Sequence, residues 1–469
     1  MAERWERCRD AANGLDAVRK GKSKYLPMLS GQDRDEYNAY LKRADFYGAL
    51  GSSVQAHVGQ VFRKPPKIEV PAAAEDWMDD ITLTGVSLRA LMQEAYSELD
   101  EVGRYGLYVD MAPEEAQGAA LRPYMVLCRA ESVVSWRTEN RDGKQVLNRV
   151  VIREEVDEED PDDPFVIVQS LQYRVLELVG ESYSVTLYTK PKGSEEFLPA
   201  GPPISPTKRG QPFGRIPFWF GNASGMTTRV DRPPLMDVAD ISLSIWRNSA
   251  DIENGFHYVG IPTPWVAGFP TTTKLRIGSN VAWVSDKSDA KAAMLEFSGQ
   301  GLNGLADHIE RKKKDCAIFG SRVLEGQKAA AETADAVRLR HSGETASLVT
   351  MVDTLDNTFS EALGFLLDWG GITGESLVAA NRDLLNVKAT PQELQALTAA
   401  VQAGTMSYGT YYHNLEQLEL TRPGVDAEQE EAELEESANR EVVLSVQSGR
   451  PASDDEEARA AALASEQAA

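Results

Sequence analysis

Residues 234–257 read PLMDVADISLSIWRNSADIENGFH and residues 301–319 read GLNGLADHIERKKKDCAIF, with a β-prone stretch, Trp265 to Phe297, between them. In the first segment Val238, Ile241, Ile245, Ser249, Ile252 and Phe256 recur at three- and four-residue spacing. That spacing predicts one long helix, Pro234 to His257, with a buried stripe. Pro262 and Pro264 stop it, because proline has no amide for a helix interior. Leu302 to Phe319 reads as a second, charged helix. Two helices thus bracket a small β insertion.

Working outward, the segments stay segregated by type. Asp33 to Phe62 places Tyr37, Tyr40, Leu41, Ala44, Tyr47, Leu50 and Val54 on one face, which predicts a single amphipathic helix ended by Arg63-Lys64-Pro65-Pro66. Ser87 is a fitting N-cap for a helix to Val102, with Leu88, Leu91, Ala95 and Leu99 as its stripe. Short strands follow at Tyr105–Val109, Tyr124–Leu127, Val146–Ile152, Phe165–Leu178 and Tyr183–Tyr188. Pro199 to Pro217, with its prolines, reads as a loop or extended arm. Downstream, Gly320 to Gly343 is weakly patterned. Glu344 to Trp369, Pro391 to Ala403 and Ser407 to Leu418 are predicted helices. This order argues for an α+β protein and against a doubly wound parallel sheet.

The chain has 469 residues, with 49 Lys and Arg against 72 Asp and Glu, a formal charge of −23. Such a balance disfavours proteins that grip nucleic acid by neutralising phosphates, or that sit on anionic membranes. Glu154 to Asp163 and the tail from Asp426 are dense in like charge, and both read as solvated loop or tail. The first thirty residues carry charge throughout, so no secretory leader is expected, and no apolar run reaches membrane-spanning length. Cys8, Cys128 and Cys316 lie far apart without CxxC spacing. Neither a disulfide framework nor a cysteine zinc site is indicated, and a reducing compartment is the natural reading.

Motifs that carry chemistry are sparse. Gly299-Gln300-Gly301-Leu302-Asn303-Gly304 matches the dinucleotide fingerprint and follows a strand-like run, with Glu325 near the position of a ribose-binding acid. That motif works only inside a βαβ unit, and the chain beyond it is helical. Gly21-Lys22-Ser23 resembles the end of a phosphate loop, but Asp16 stands where its first glycine belongs. His57, His257, His308, His341 and His413 form no i, i+4 pair. No catalytic constellation, cofactor site or metal site emerges.

Taken in order, several stretches resemble the tailed-phage portal proteins, in the subgroup often carried as a domain of unknown function. They are Tyr25-Leu26-Pro27 with Ala44-Asp45-Phe46-Tyr47, Gly59 to Pro66, Glu101 to Asp110, Ala130 to Arg137, Pro233 to Asp240, Glu332-Thr333-Ala334 and Ser347-Leu348. The resemblance runs over about residues 20–425 and rests on shared order. It implies a portal-type elongated subunit with a mixed α/β wing, a two-helix stem, a small β-containing clip and a helical crown. Wing would be 1–230, stem 231–257 and 301–319, and clip 258–300. A tunnel loop would lie in 320–343, a returning wing helix in 344–370, and crown in 371–425, leaving 426–469 as an acidic tail expected to be disordered.

The same resemblance implies a non-enzymatic ring of about twelve copies at one capsid vertex of a virion, assembled in the host cytoplasm. Double-stranded DNA would be packaged and ejected through it. Expected partners are the terminase large subunit, a major capsid or scaffolding protein and a head–tail adaptor, with no membrane. Candidate channel-facing cations are Arg322, Lys328, Arg338 and Arg340 in and beside the tunnel loop, and Arg311, Lys312, Lys313 and Lys314 on the stem. Two alternatives stay open: another head-completion or minor capsid protein, and a nucleotide-binding enzyme built on residues 299–304.

Overall fold

Capping chemistry sets the first boundaries. Helices α1 (Ala2–Asn13) and α2 (Leu15–Lys20) precede α3 (Arg34–Arg43), where Asp33 and Glu36 exchange side-chain and backbone hydrogen bonds as a capping box. A separate helix, α4 (Ala49–Val61), follows. The single helix expected over 33–62 is therefore two. Ala44 turns extended, and the Asp45 amide donates instead to Ser249 Oγ at 2.8 Å. The apolar spacing ran on across this break although the two helices feed different clusters, Tyr40 and Leu41 one and Leu50 and Val54 the other. The computed structural model describes residues 1–112, 121–160, 163–191, 194–260, 263–269, 275–276, 282–295, 299–320, 334–382, 384, 391–418, 420–422 and 425–434.

Strand β1 (Lys67–Glu69) and the short α5 (Glu75–Asp79) lead to α6 (Leu88–Val102). Ser87 Oγ accepts from the Ala90 amide, so the predicted N-cap is present. Gly103 ends α6 in the left-handed conformation at φ 80°, and a Cβ there would lie 3.2 Å from the Arg232 carbonyl. The chain then enters β2 (Arg104–Met111), β3 (Pro123–Arg129), β4 (Val133–Arg141), β5 (Lys144–Asp160), β6 (Asp163–Val179) and β7 (Ser182–Thr189). Two-residue strands β8 (Leu198–Pro199), β9 (Thr207–Lys208) and β10 (Gln211–Pro212) punctuate the proline-rich arm before β11 (Phe218–Asn222).

Two antiparallel sheets result, ordered β11-β2-β3 and β4-β5-β6-β7-β8. Of the acid run expected as a solvated loop or tail, Glu154–Asp160 and Asp163 are strand, and 161–162 lie outside the described residues. Glu154 is held by Arg174 at 2.6 Å and by Gln172 at 2.7 Å. Cross-strand pairing thus offsets the charge of Glu154, the first acid of the run.

Helix α7 (Met236–Gly260), strands β12 (Thr263–Ala267) and β13 (Lys291–Leu295), helix α8 (Gln300–Gly320) and the long α9 (Ala334–Trp369) follow. The last of these begins ten residues before the expected Glu344 and takes up part of the segment assigned to a tunnel loop. Strand β14 (Leu377–Ala379) pairs with β1, so residues up to Arg382 belong to the first of two compact units, not to a separate helical region from 371. The second unit, Asp383–Ala469, contains α10 (Pro391–Gln402) and α11 (Tyr408–Gln417), the latter capped by Ser407. Residues 427–434 of the acidic tail are helical, and 435–469 lie outside the described residues.

In the first unit α7 is the axis of the helical core. Trp5, Cys8, Leu50, Val54, Val238, Ile245 and Ile309 pack on one side of it, and Val18, Tyr40, Leu41, Leu243 and Trp246 on the other. Each large side chain so buried contributes roughly 1.5–3 kcal/mol. Across the molecule, α9 lies against the three-stranded sheet through Tyr105, Trp219, Phe359 and Phe365.

Three buried groups tie folding to pH in one direction. Burial pushes the Glu101 carboxyl up to about 7 and that of Asp356 to about 6. Burial pulls the His57 imidazole pKa down, but the hydrogen bond and the charge of Asp100, 2.8 Å away, together raise it. The native state then holds protons that the unfolded chain releases, so stability falls as pH rises from about 4.5 towards 7. Urea unfolding should show the protein roughly 1–2 kcal/mol more stable at pH 6 than at pH 8. A flat profile between those values would contradict these assignments.

Candidate functional site

Helix α7 buries residues as far as Ile252 and then emerges, and Phe256 and Tyr258 are exposed. Helix α8 returns alongside it, regaining buried contacts at Ile309 and Cys316. Between the two helices β12 and β13 pair antiparallel, with Trp265 opposite Ala293 and Thr263 opposite Leu295. Trp265, Val284, Met294 and Leu295 are all exposed on this insertion. The sequence pattern of helix, β insertion and helix is therefore present as an antiparallel helix pair carrying a hairpin.

The glycines explain how closely the pair approaches. A Cβ on Gly255 would fall 2.5 Å from Leu302 Cδ2, the methyl end of the side chain that packs α8 on α7. Gly255→Val should push Leu302 into another rotamer, loosen the pair at the hairpin end and cost about 1 kcal/mol. Thermal unfolding of the purified variant checks this, and an unchanged midpoint would contradict it.

Gly299 takes φ +63° at the hairpin exit, and α8 starts at Gln300 inside the fingerprint-like motif. The preceding strand belongs to a two-stranded antiparallel hairpin, not to a parallel sheet. Among the described residues no parallel strand lies beside this motif, so the βαβ unit that a pyrophosphate site requires is not formed by them.

The four consecutive cations of α8 do not form one patch. Consecutive helical residues turn by about 100°, so Arg311 to Lys314 spread around α8. Lys312 Nζ donates to Ser244 Oγ of α7 at 2.7 Å; burial, then Arg247, lowers its pKa. Lys313 pairs with Glu310 at 2.8 Å and lies 5.8 Å from the Tyr47 ring centre. Arg311 and Lys314 are exposed, and Arg311 Nε donates to the Asp307 carbonyl at 3.4 Å. Two of the four thus face solvent, Lys312 braces the helix pair, and Lys313 is held by Glu310 of its own helix and the Tyr47 ring. Arg322 and Lys328 lie outside the described residues. Arg338 and Arg340 fall on the first turns of α9, with side chains also outside them.

Chemistry elsewhere is muted. Cys8, Cys128 and Cys316 are buried free thiols. Burial pushes the first two up to about 12, the wrong direction for a nucleophile. Among the described residues no group of three or more His, Cys, Asp or Glu is placed to hold a metal ion, and no helix is long and apolar enough to cross a membrane. Sequence reading overlooked Gly255 and the exposed apolar end of the β5–β6 hairpin. A close approach leaves no pattern, and a short apolar run reads as core.

A family model described as a domain of unknown function, DUF4055, matches residues 234–370, from just before α7 to just after α9. No curated protein matches the chain. Among solved structures it is similar to three chains at 12% identity, each over 85% of its own length. They come from the neck of an empty gene transfer agent particle computed with C6 symmetry (97% of that chain, TM-score 0.39), the virion of the native particle (98%, 0.41), and the neck of the native particle computed with C12 symmetry (97%, 0.36). Likenesses at this level fix neither fold nor role.

Proposed function

We propose that this chain is the subunit of a viral portal ring, the passage for double-stranded DNA at one capsid vertex. The observation that carries the reading is the α7–hairpin–α8 unit. It is a helix pair rooted in the core by Trp246, Ile245 and Ile309, and it ends in a small hairpin with exposed Trp265, Met294 and Leu295. In a ring the pair is the stem and the hairpin the clip, where a terminase large subunit and then a head–tail adaptor dock. Capsid or scaffolding protein surrounds the body. The apolar side chains of the clip are covered by neighbouring subunits, in a heterologous contact that closes a ring.

Charge fits passage better than grip. Twelve copies at −23 each would carry 12 × −23 = −276 formal charges. A wall of that sign keeps a polyanion from adhering, within the ~8–10 Å over which salt leaves the field unscreened. Each additional phosphate neutralised would add affinity and slow sliding. On the stem, Arg311 and Lys314 remain available to touch DNA, whereas Lys312 ties α8 to α7 and Lys313 is engaged by Glu310 of its own helix and the Tyr47 ring.

Native mass is the test. Twelve copies of 51.5 kDa give about 618 kDa, and ring views in negative stain are expected at that mass. A compact dimer retained on a nucleotide-dye column would overturn the reading.

A further inference from the structure

The β5–β6 hairpin outruns its sheet. β4 pairs with β5 only up to Ile152, and β7 pairs with β6 only from Tyr173. Beyond those points β5 and β6 continue as a two-stranded ribbon, Glu154 opposite Gln172 through Glu159 opposite Ile167. Neither outer edge of the ribbon has a strand beside it among the described residues. On the β6 edge stand Phe165, Val166, Ile167 and Val168, with Phe165 95% and Ile167 67% exposed. Proteins usually blunt such an edge with charge, proline or a bulge, because its open amides and carbonyls invite another strand.

The other strand of the ribbon supplies the selectivity. Opposite residues of an antiparallel pair share a face, so Glu155 lies beside Leu171 and Asp157 beside Gln169. Glu155 and Asp157 have no cationic partner among the described residues. A strand added to the β6 edge would lie two strand spacings, about 9–10 Å, from β5. A Lys or Arg stem and a carboxylate side chain span that gap between them. A second copy would bring its own acid run against this one, at a net charge of −23 per chain. Charge therefore selects against self-pairing and for a basic guest.

We propose that the β6 edge at Phe165–Val168 is a docking site for an extended protein segment with alternating basic and apolar residues, taken up by strand addition. Main-chain hydrogen bonds would supply affinity. The apolar side chains would cover Val166 and Val168 on one face, and the cations would lie on the other face, that of Ile167, and reach Glu155 and Asp157. The site goes beyond the ring reading and does not depend on it.

The probe is a blocked, fluorescent Lys-Val alternating octapeptide titrated onto the full chain, with Glu-Val and Lys-Pro octapeptides as controls. The Lys-Val peptide should bind at least about tenfold tighter than either control and weaken with salt. Ile167→Lys should reduce that binding at least about tenfold. Replacing Glu155–Leu171 with Asn-Gly should abolish it while leaving the fold intact. That pair closes the ribbon as a two-residue turn at the Glu154–Gln172 register. Equal binding of Lys-Pro would mean attraction without strand addition and would overturn the proposal. No binding of Lys-Val, or concentration-dependent self-association lost on the ribbon deletion, would overturn it too.

Discussion

Arg104→Ala is expected to lower the unfolding free energy by about 3–5 kcal/mol, one of the two largest single-residue effects anticipated in this chain. Arg104 opens β2 and is 1% exposed. Its guanidinium lies 4.3 Å from the Trp136 ring centre and 3.9 Å from that of Phe220. Nη1 donates to the carbonyls of Thr228 and Arg229 at 3.2 Å each. No carboxylate touches it, and burial lowers its pKa to about 10. One side chain thus joins β2, β4 and β11 to the loop that leads into α7. Alanine would leave a cavity between two rings and two carbonyls without a donor.

The conservative exchange separates charge from shape. Lysine could reach one carbonyl, but its ammonium cannot lie flat between two rings and is more strongly hydrated. Arg104→Lys should still cost about 2 kcal/mol and weaken the near-ultraviolet signal of Trp136. If lysine restored full stability, a buried positive charge alone would suffice and the stacking would be incidental.

What could be read in the sequence was periodic, and what could not was contact between distant parts. The stripe Val238 to Phe256 and the cap at Ser87 gave α7 and α6 almost to the residue. Short apolar runs bounded by turn residues located β2, β3, β6 and β7. The turn at Ala44 escaped because its cause, the Ser249 hydroxyl, is some two hundred residues away. β5 escaped in part because eight carboxylates in ten residues outweigh, in composition, a strand whose pairing partners are Arg174 and Gln172. For the candidate site, the helix–insertion–helix order was legible. The fate of the four consecutive cations was not. A linear cluster looks like one patch, and helical rotation sends Lys312 to Ser244 and Lys313 to Glu310. The β12–β13 hairpin was expected only as β-prone, since strand register depends on the partner strand.

Arg9→Met carries the other large effect. Arg9 on α1 meets three carboxylates: Glu98 at 2.8 Å and Glu101 at 3.2 Å on α6, and Glu131 at 3.0 Å in the turn after β3. Arg129 approaches Glu98 only at 3.7 Å. All four partners of the inner cluster are more buried than exposed, so the guanidinium holds together charges that would otherwise repel in a poorly hydrated site. Methionine keeps most of the volume and removes the charge, which should cost about 3–5 kcal/mol at pH 8. The loss should shrink at pH 5, because burial has already raised Glu101 to about 7 and moved Glu98 in the same direction. Protonated carboxyls no longer repel and can donate to one another. Glu101→Gln in the Arg9→Met background should recover part of the loss at pH 8, and the double-mutant cycle should give a coupling of 1 to 3 kcal/mol, as an order of magnitude about that of groups in direct contact. An equal loss at both pH values, with no recovery from Glu101→Gln, would mean that Arg9 acts through packing of its stem and not through its charge.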